Sequence, residues 1–153
     1  MSVGIHAFGA YIPKVRLQRE VMAHAYSWFN PSLASLGQGE RAIANWDEDA
    51  LTMAVEAARN ALTPQQYKQI DGLYLASTSL PFQDRQNAGI AAEAMHLGND
   101  LHTMDITGSQ RAGTSALLTA LQIAVGNRRN TLVIGGEKRQ TKASSPLQLT
   151  SGD

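Results

Sequence analysis

Three short apolar runs set the fold class: "DGLYLAST" (71–78), "LHTMDIT" (101–107) and "NTLVIGGE" (130–137). Between them stand two stretches rich in alanine, "NAGIAAEAMHLG" (87–98) and "AGTSALLTALQIAVG" (112–126). Ala88, Ala91, Ala92 and Met95 recur at helical spacing in the first, with Gly98 expected as its C-cap. Ala112, Ala116, Ala120 and Ile123 do the same in the second, with Gly126 expected to follow its end. "NTLVIGGE" is almost wholly apolar, as in strands buried on both faces of a parallel sheet. Strands alternating with helices predict an α/β protein, a mixed sheet covered by helices that return through right-handed crossovers.

The first half is read the same way. "VGIHAFGAYIP" suggests a buried first strand closed by Pro13. "QREVMAHAYSWF" places Val21, Met22, Ala25 and Phe29 on one helical face, and "NPSLASLGQGE" reads as a loop. "WDEDALTMAVEAARNAL" is a helix whose Ala50, Ala54, Ala57, Ala58 and Ala61 permit close packing. Asp47 is its expected N-cap, and Trp46 is expected to staple onto Leu51. In "TPQQ", Thr63 caps, Pro64 opens the helix and Gln66 completes a capping box.

Composition removes several function classes. Lys plus Arg and Asp plus Glu are 13 each, so no net field draws nucleic acid or an anionic membrane. The basic "GEKRQTK" is short and expected to be solvated. With no cysteine, disulfides, zinc–thiolate centres and a cysteine nucleophile are absent. "MSVGIHAFGAYIPK" lacks the pattern of a signal peptide, and a cytoplasmic location is the default expectation. His6, His24 and His96 are scattered, and no metal site is expected. His102 and Asp105 fall at odd separation in one strand, so they face opposite sides. No phosphate-binding glycine motif follows a strand.

Ligands in open α/β sheets bind outside the carboxyl ends of the strands. That singles out "STSLPFQDRQ" (77–86) and "TGSQRAG" (107–113). By itself the second is an ordinary polar turn before a helix.

The order and spacing of "GIHAFGAYIPKVRL", "DEDALTMAVEAARNAL", "IDGLYLASTSLPF", "AGTSALLTALQIA" and "TLVIGGEKR" resemble the N-terminal half of thiolase-superfamily condensing enzymes. The nearest branch is that of ketoacyl synthase III and HMG-CoA synthase. The resemblance implies a thiolase-like fold, coenzyme A or acyl-carrier-protein thioesters as substrates, and no covalently bound cofactor. It aligns the family's nucleophilic cysteine with Gln110, and the glutamate base of HMG-CoA synthase relatives with Thr78. Ser109 is a substitute nucleophile one residue off register, without an evident base. Arg41 is offered by analogy to a CoA phosphate, although a solvent-facing arginine is the plainer role. Trp28 and Trp46 are taken as packing residues near loops that relatives use to reach the CoA adenine. "PFQDRQN" resembles the loop that reaches the dimer interface.

The family's catalytic His and Asn belong to the C-terminal half. Residues 1–153 are therefore expected to be an incomplete, N-terminal thiolase-like half, ending at Asp153 where relatives add a further strand. Such a sheet would expose an edge. Dimerisation is expected through the region of "NTLVIGGE". Beside Ser109 as a substitute nucleophile, two functional readings follow from the resemblance. Glutamine in place of cysteine suits a decarboxylase of malonyl thioesters. A degenerate member serves as a non-catalytic subunit beside a thiolase and an OB-fold protein. Condensation through a covalent acyl-cysteine is excluded by Gln110.

Overall fold

The structure, a computed structural model, describes residues 3–142 and 145–151. Asp153, where the sequence reading ends, lies outside the described residues. The chain divides into two units, 1–11 with 49–137 and 12–48 with 138–153.

The larger unit carries a parallel three-stranded sheet. Its strands are β3 (Gly72–Ala76), β4 (His102–Ile106) and β5 (Thr131–Gly135), in the order β4-β3-β5. Ala76 stands in register with both Ile106 and Gly135, so all three strands finish at one level. Leu73 and Leu75 point to one face, against α2 (Ala50–Ala61) and α4 (Asn87–Ala94). Tyr74 and Ala76 point to the other, against α5 (Ala112–Asn127). The alternation follows from the strand period of two. Each large side chain buried this way contributes about 1.5–3 kcal/mol. Ala54, Ala88, Ala91 and Ala116 are all 0% exposed, which lets the helix backbones lie close on the sheet.

Several boundaries differ from the sequence expectation. The N-cap of α2 is Asp49, not Asp47: its Oδ1 accepts from Thr52 N at 2.8 Å, while Thr52 Oγ1 accepts from Asp49 N at 2.8 Å. Only Asp49 has the threonine three residues ahead that closes this reciprocal box. Trp46 is 89% exposed and does not act as a staple. The short α3 (Pro64–Tyr67) is closed as expected, with Gln66 Oε1 accepting from Thr63 N at 2.7 Å. Neither expected glycine ends its helix. His96 (φ 54°) takes the left-handed position after α4, and Arg128 (φ 55°) does so after α5, with Gly126 inside the helix. Local hydrogen bonds set these ends: His96 N and Leu97 N donate to Glu93 O and Ala92 O, and Arg128 N donates to Ala124 O.

"VGIHAFGAYIP" forms no strand. Ile5 is 68% and Phe8 91% exposed, because no neighbouring strand among the described residues pairs with this segment. Likewise β5 is an edge strand, where only Ile134 is buried.

The smaller unit joins β1 (Val15–Gln18) and β2 (Glu40–Ile43) as an antiparallel ribbon. With α1 (Arg19–Ser27), a 3-10 turn at Pro31–Leu36 and α6 (Pro146–Thr150), it packs Met22, Ala23, Leu33 and Leu149 together. The expected face of α1 is therefore rotated: Val21 is 61% and Phe29 64% exposed. The ribbon and the 3-10 turn replace the loop expected at 30–40. Arg41 is 7% exposed rather than solvent-facing, and its guanidinium donates to Gln148 O. Arg19 adds bonds to Leu149 O (2.6 Å) and Glu40 O (2.6 Å). Lys138 of the basic stretch donates to Asn45 O and Glu48 O instead of standing free in solvent.

Candidate functional site

The carboxyl ends of the three parallel strands release three loops side by side, all within the larger unit. The central loop, 77–86 after β3, is held along its length. Glu137, just past β5, reaches back to its start. Oε1 accepts from Thr78 N at 2.6 Å, and Oε2 accepts from Thr78 Oγ1 at 3.0 Å and Ser79 Oγ at 2.9 Å. Ser77, 1% exposed, accepts from Ser79 N through Oγ at 3.0 Å. Bonds to a charged carboxylate are the stronger kind.

Asp105 of β4 grips the loop's far end. Its Oδ2 accepts from Asn87 N (2.7 Å) and Nδ2 (3.0 Å), and its Oδ1 accepts from Ala88 N (2.6 Å). A carboxylate thus satisfies the first amides of α4 and complements the positive end of that helix. Asn87, 1% exposed, in turn accepts from Phe82 N (3.1 Å) and donates to Phe82 O (2.9 Å). At the tip, Arg85 lies 5.4 Å from the Phe82 ring centre.

The loop after β4 is bonded differently. Gly108 takes φ +81°, turning the chain toward α5. Ser109 accepts twice, from Arg111 N through Oγ (3.1 Å) and from Ala112 N through its carbonyl (3.0 Å). Its hydroxyl is therefore a turn acceptor, with no carboxylate or imidazole bonded to it among the described residues. Gln110 is exposed at the entrance to α5, and its side-chain amide bonds to no group among the described residues. The first-turn amides of α5 have no intrahelical acceptors, and a 16-residue helix presents a partial positive charge there. This end of the sheet therefore carries donors, the Gln110 amide and the helix start, on one loop, and a carboxylate held by hydroxyls at the neighbouring loop.

The structure brings Gln110, Ser109 and Thr78 to one end of the sheet, on adjacent loops. Arg41 belongs to the other unit, where its guanidinium donates to Gln148 O. Sequence reasoning missed Glu137. The signal was an acid just after an apolar strand at the ligand-binding end, within a stretch whose sequence reads as a solvated basic strip. His102 and Asp105 do face opposite ways: His102 Nδ1 lies 3.3 Å from Tyr74 Oη, on the α5 side. Burial raises the Tyr74 phenol above its ordinary value, partly offset by the nearby Arg129 charge. Among the described residues, no three His, Asp or Glu converge as for a metal, and no helix is long and apolar enough to cross a membrane.

No family model matches the chain. It is 33% identical over 154 residues to the hydroxymethylglutaryl-CoA synthase of Thermococcus onnurineus, covering 99% of this chain and 43% of that protein. Against the protein of the same name from Methanocaldococcus jannaschii, identity is 34% over 155 residues, covering 97% and 44%. The chain thus spans less than half the length of the relatives it matches. Among solved structures, OleA from Xanthomonas campestris superposes with a TM-score of 0.76 at 19% identity, over 86% of this chain and 41% of that one. The β-ketoacyl-[acyl carrier protein] synthase III of Thermus thermophilus does so at 0.71 and 21%, over 83% and 40%.

Proposed function

Because this chain belongs to the ketoacyl synthase III and HMG-CoA synthase-like branch of the thiolase superfamily, we propose that it handles acyl thioesters without a covalent acyl-enzyme. The observation that carries this reading is Gln110, an exposed amide at the N-terminus of α5 in the place the resemblance gives to the nucleophile. A carboxamide has no reactive lone pair comparable to a thiolate, so no acyl group is transferred to it. It can donate to a thioester carbonyl, and backbone amides at a helix start stabilise an oxyanion.

The chemistry that suits these groups is decarboxylation of a malonyl thioester. The bond from Cα to the carboxylate breaks, CO₂ leaves, and the electron pair passes into a thioester enolate. Gln110 and the α5 amides stabilise the enolate oxygen, and a proton from water completes an acetyl thioester. Thr78 places no carboxylate in this path.

A second reading takes the same exposed Gln110 as the vestige of a nucleophile's seat: the chain is a non-catalytic subunit of a larger acyltransferase assembly, with thiolase-like and OB-fold partners. Homodimerisation belongs with the same reading.

Intact-protein mass spectrometry before and after incubation with acetyl-CoA and malonyl-CoA separates these possibilities. Consumption of malonyl-CoA with no protein adduct supports decarboxylation. An adduct mapping to residues 105–117 overturns the Gln110 reading in favour of Ser109 or a neighbouring hydroxyl. No adduct and no turnover favours the structural subunit.

A further inference from the structure

A hollow of about 140 Å³ opens at the amino ends of the three parallel strands, wholly within the larger unit. It is the space of a missing side chain. Gly72 of β3 stands in register with His102 of β4 and Thr131 of β5. The three share one row on the face that α5 covers, the face of Tyr74 two residues on. A Cβ on Gly72 would lie 3.6 Å from both Cγ2 and Oγ1 of Thr131, so even a methyl group would begin to fill the gap. The last turn of α5 adds Ile123 and Asn127 to the lining, and Arg129 follows just past the helix end.

The polar groups of this lining are unequally matched. Burial keeps the Tyr74 phenol protonated, and it donates to His102 Nδ1 at 3.3 Å. A neutral imidazole that accepts at Nδ1 carries its own proton on Nε2 and can donate from there. The Arg129 guanidinium, the Asn127 amide and the Thr131 hydroxyl bond to no group among the described residues. The charge of Arg129 also acts on the Tyr74 phenol. Acceptors are few. Asp71 gives one carboxylate oxygen to Asn130 N at 2.9 Å, and its other oxygen is bonded to nothing among the described residues. Donors in excess around a guanidinium select an anion, whereas a cation would face Arg129 directly.

Size and charge narrow the anion. At about 30 Å³ per water the hollow holds about five waters, which matches a tetrahedral oxyanion. A carboxylate would bring only two oxygens to four donor groups. Asp71 decides between tetrahedral ions: it repels one that carries no proton, such as sulfate, and accepts a hydrogen bond from one that keeps a proton. At pH 8 inorganic phosphate keeps one, while a phosphate monoester, with a second pKa of about 6, has lost both.

We propose that this hollow binds the monohydrogen phosphate ion. Arg129, Asn127, Thr131 and His102 Nε2 donate to its oxygens, and its remaining proton is donated to Asp71.

The test is a titration of the 153-residue chain with sodium phosphate at pH 8 and constant ionic strength, read by amide NMR. Saturable shifts are expected at Gly72, His102 and Thr131. Arg129→Gln removes a charged donor at an exposed position and should weaken binding about tenfold. Thr131→Val keeps the side-chain shape, loses the hydroxyl and should weaken it about threefold. Arg128→Gln, next to the hollow but not lining it, should leave binding within about twofold. Unchanged shifts at 88–95 in each variant show an intact fold. In the parent chain sulfate should bind about tenfold more weakly than phosphate, and Asp71→Asn should remove that difference. Absence of saturable shifts at the three residues overturns the site. An equal loss in Arg128→Gln overturns it in favour of diffuse surface charge. Sulfate or methyl phosphate binding as tightly as phosphate to the parent chain overturns the choice of ion.

Discussion

The loops after β3 and β4 leave the same end of one sheet, yet they are built on opposite principles. The first is gripped at its start by Glu137 and at its end by Asp105, each carboxylate accepting three hydrogen bonds. The second is closed by Ser109 and leaves Gln110 exposed. The carboxylates that hold the first loop come from β4 and from the residue two past the end of β5, the strands on either side of β3. This teaches a division of labour: outer strands stabilise the central loop, and the β4 turn is left open to solvent at the start of a long helix.

The sharpest way to break this contrast is Asp105→Ala. It removes three bonds and leaves buried Asn87 and the α4 amides short of acceptors, so a loss of about 2–4 kcal/mol is expected in urea unfolding. Glu137→Gln should cost about 1–2 kcal/mol, since the isosteric amide keeps one acceptor oxygen. Its signature is faster amide exchange at Thr78 with no change at residues 107–111. Removing the cap in Asp49→Ala should cost about 1 kcal/mol and fray α2 without disturbing either loop, a control for general destabilisation. Gln110→Ala should stay within about 0.5 kcal/mol of the parent, as for exposed positions generally, while weakening any retention of acyl-CoA. A large stability loss at Gln110 would end the distinction between the two loops.

The two faces of β3 add a pH test. Tyr74 has its phenol raised above 10.0 in the folded state, chiefly through burial. Above pH 10.0 the unfolded chain releases this proton while the folded chain keeps it. Stability should therefore fall as pH rises beyond that value. Tyr74→Phe should flatten this alkaline loss, read by unfolding at pH 9 and above.

The parallel strands and α4 and α5 were legible because their signals are local and strong. The alanine spacing of 88–95 and 112–123 dictates one buried face, and the apolar runs allow little but a strand. The first segment was misread because apolar content alone does not supply a neighbour for a strand. Helix ends were misread where His96 and Arg128 took a conformation usually left to glycine, a choice governed by the next turn's hydrogen bonds. Within the site, Gln110 and Thr78 stood out only through the register of a family. Glu137 escaped because its partners lie 58 and 59 residues away in sequence.

Gly136 controls that distant partnership by size alone. A methyl group there would sit 2.0 Å from Ala50 O, inside any tolerable contact. The backbone leaving β5 thus has a single width, set by the first residue of α2, and Glu137 is the next residue along. The position acts as a gauge: any side chain large enough to shift it would swing the carboxylate off Thr78, with no functional group altered. Loss of function in a variant of this chain can therefore originate at a residue that has no chemistry of its own.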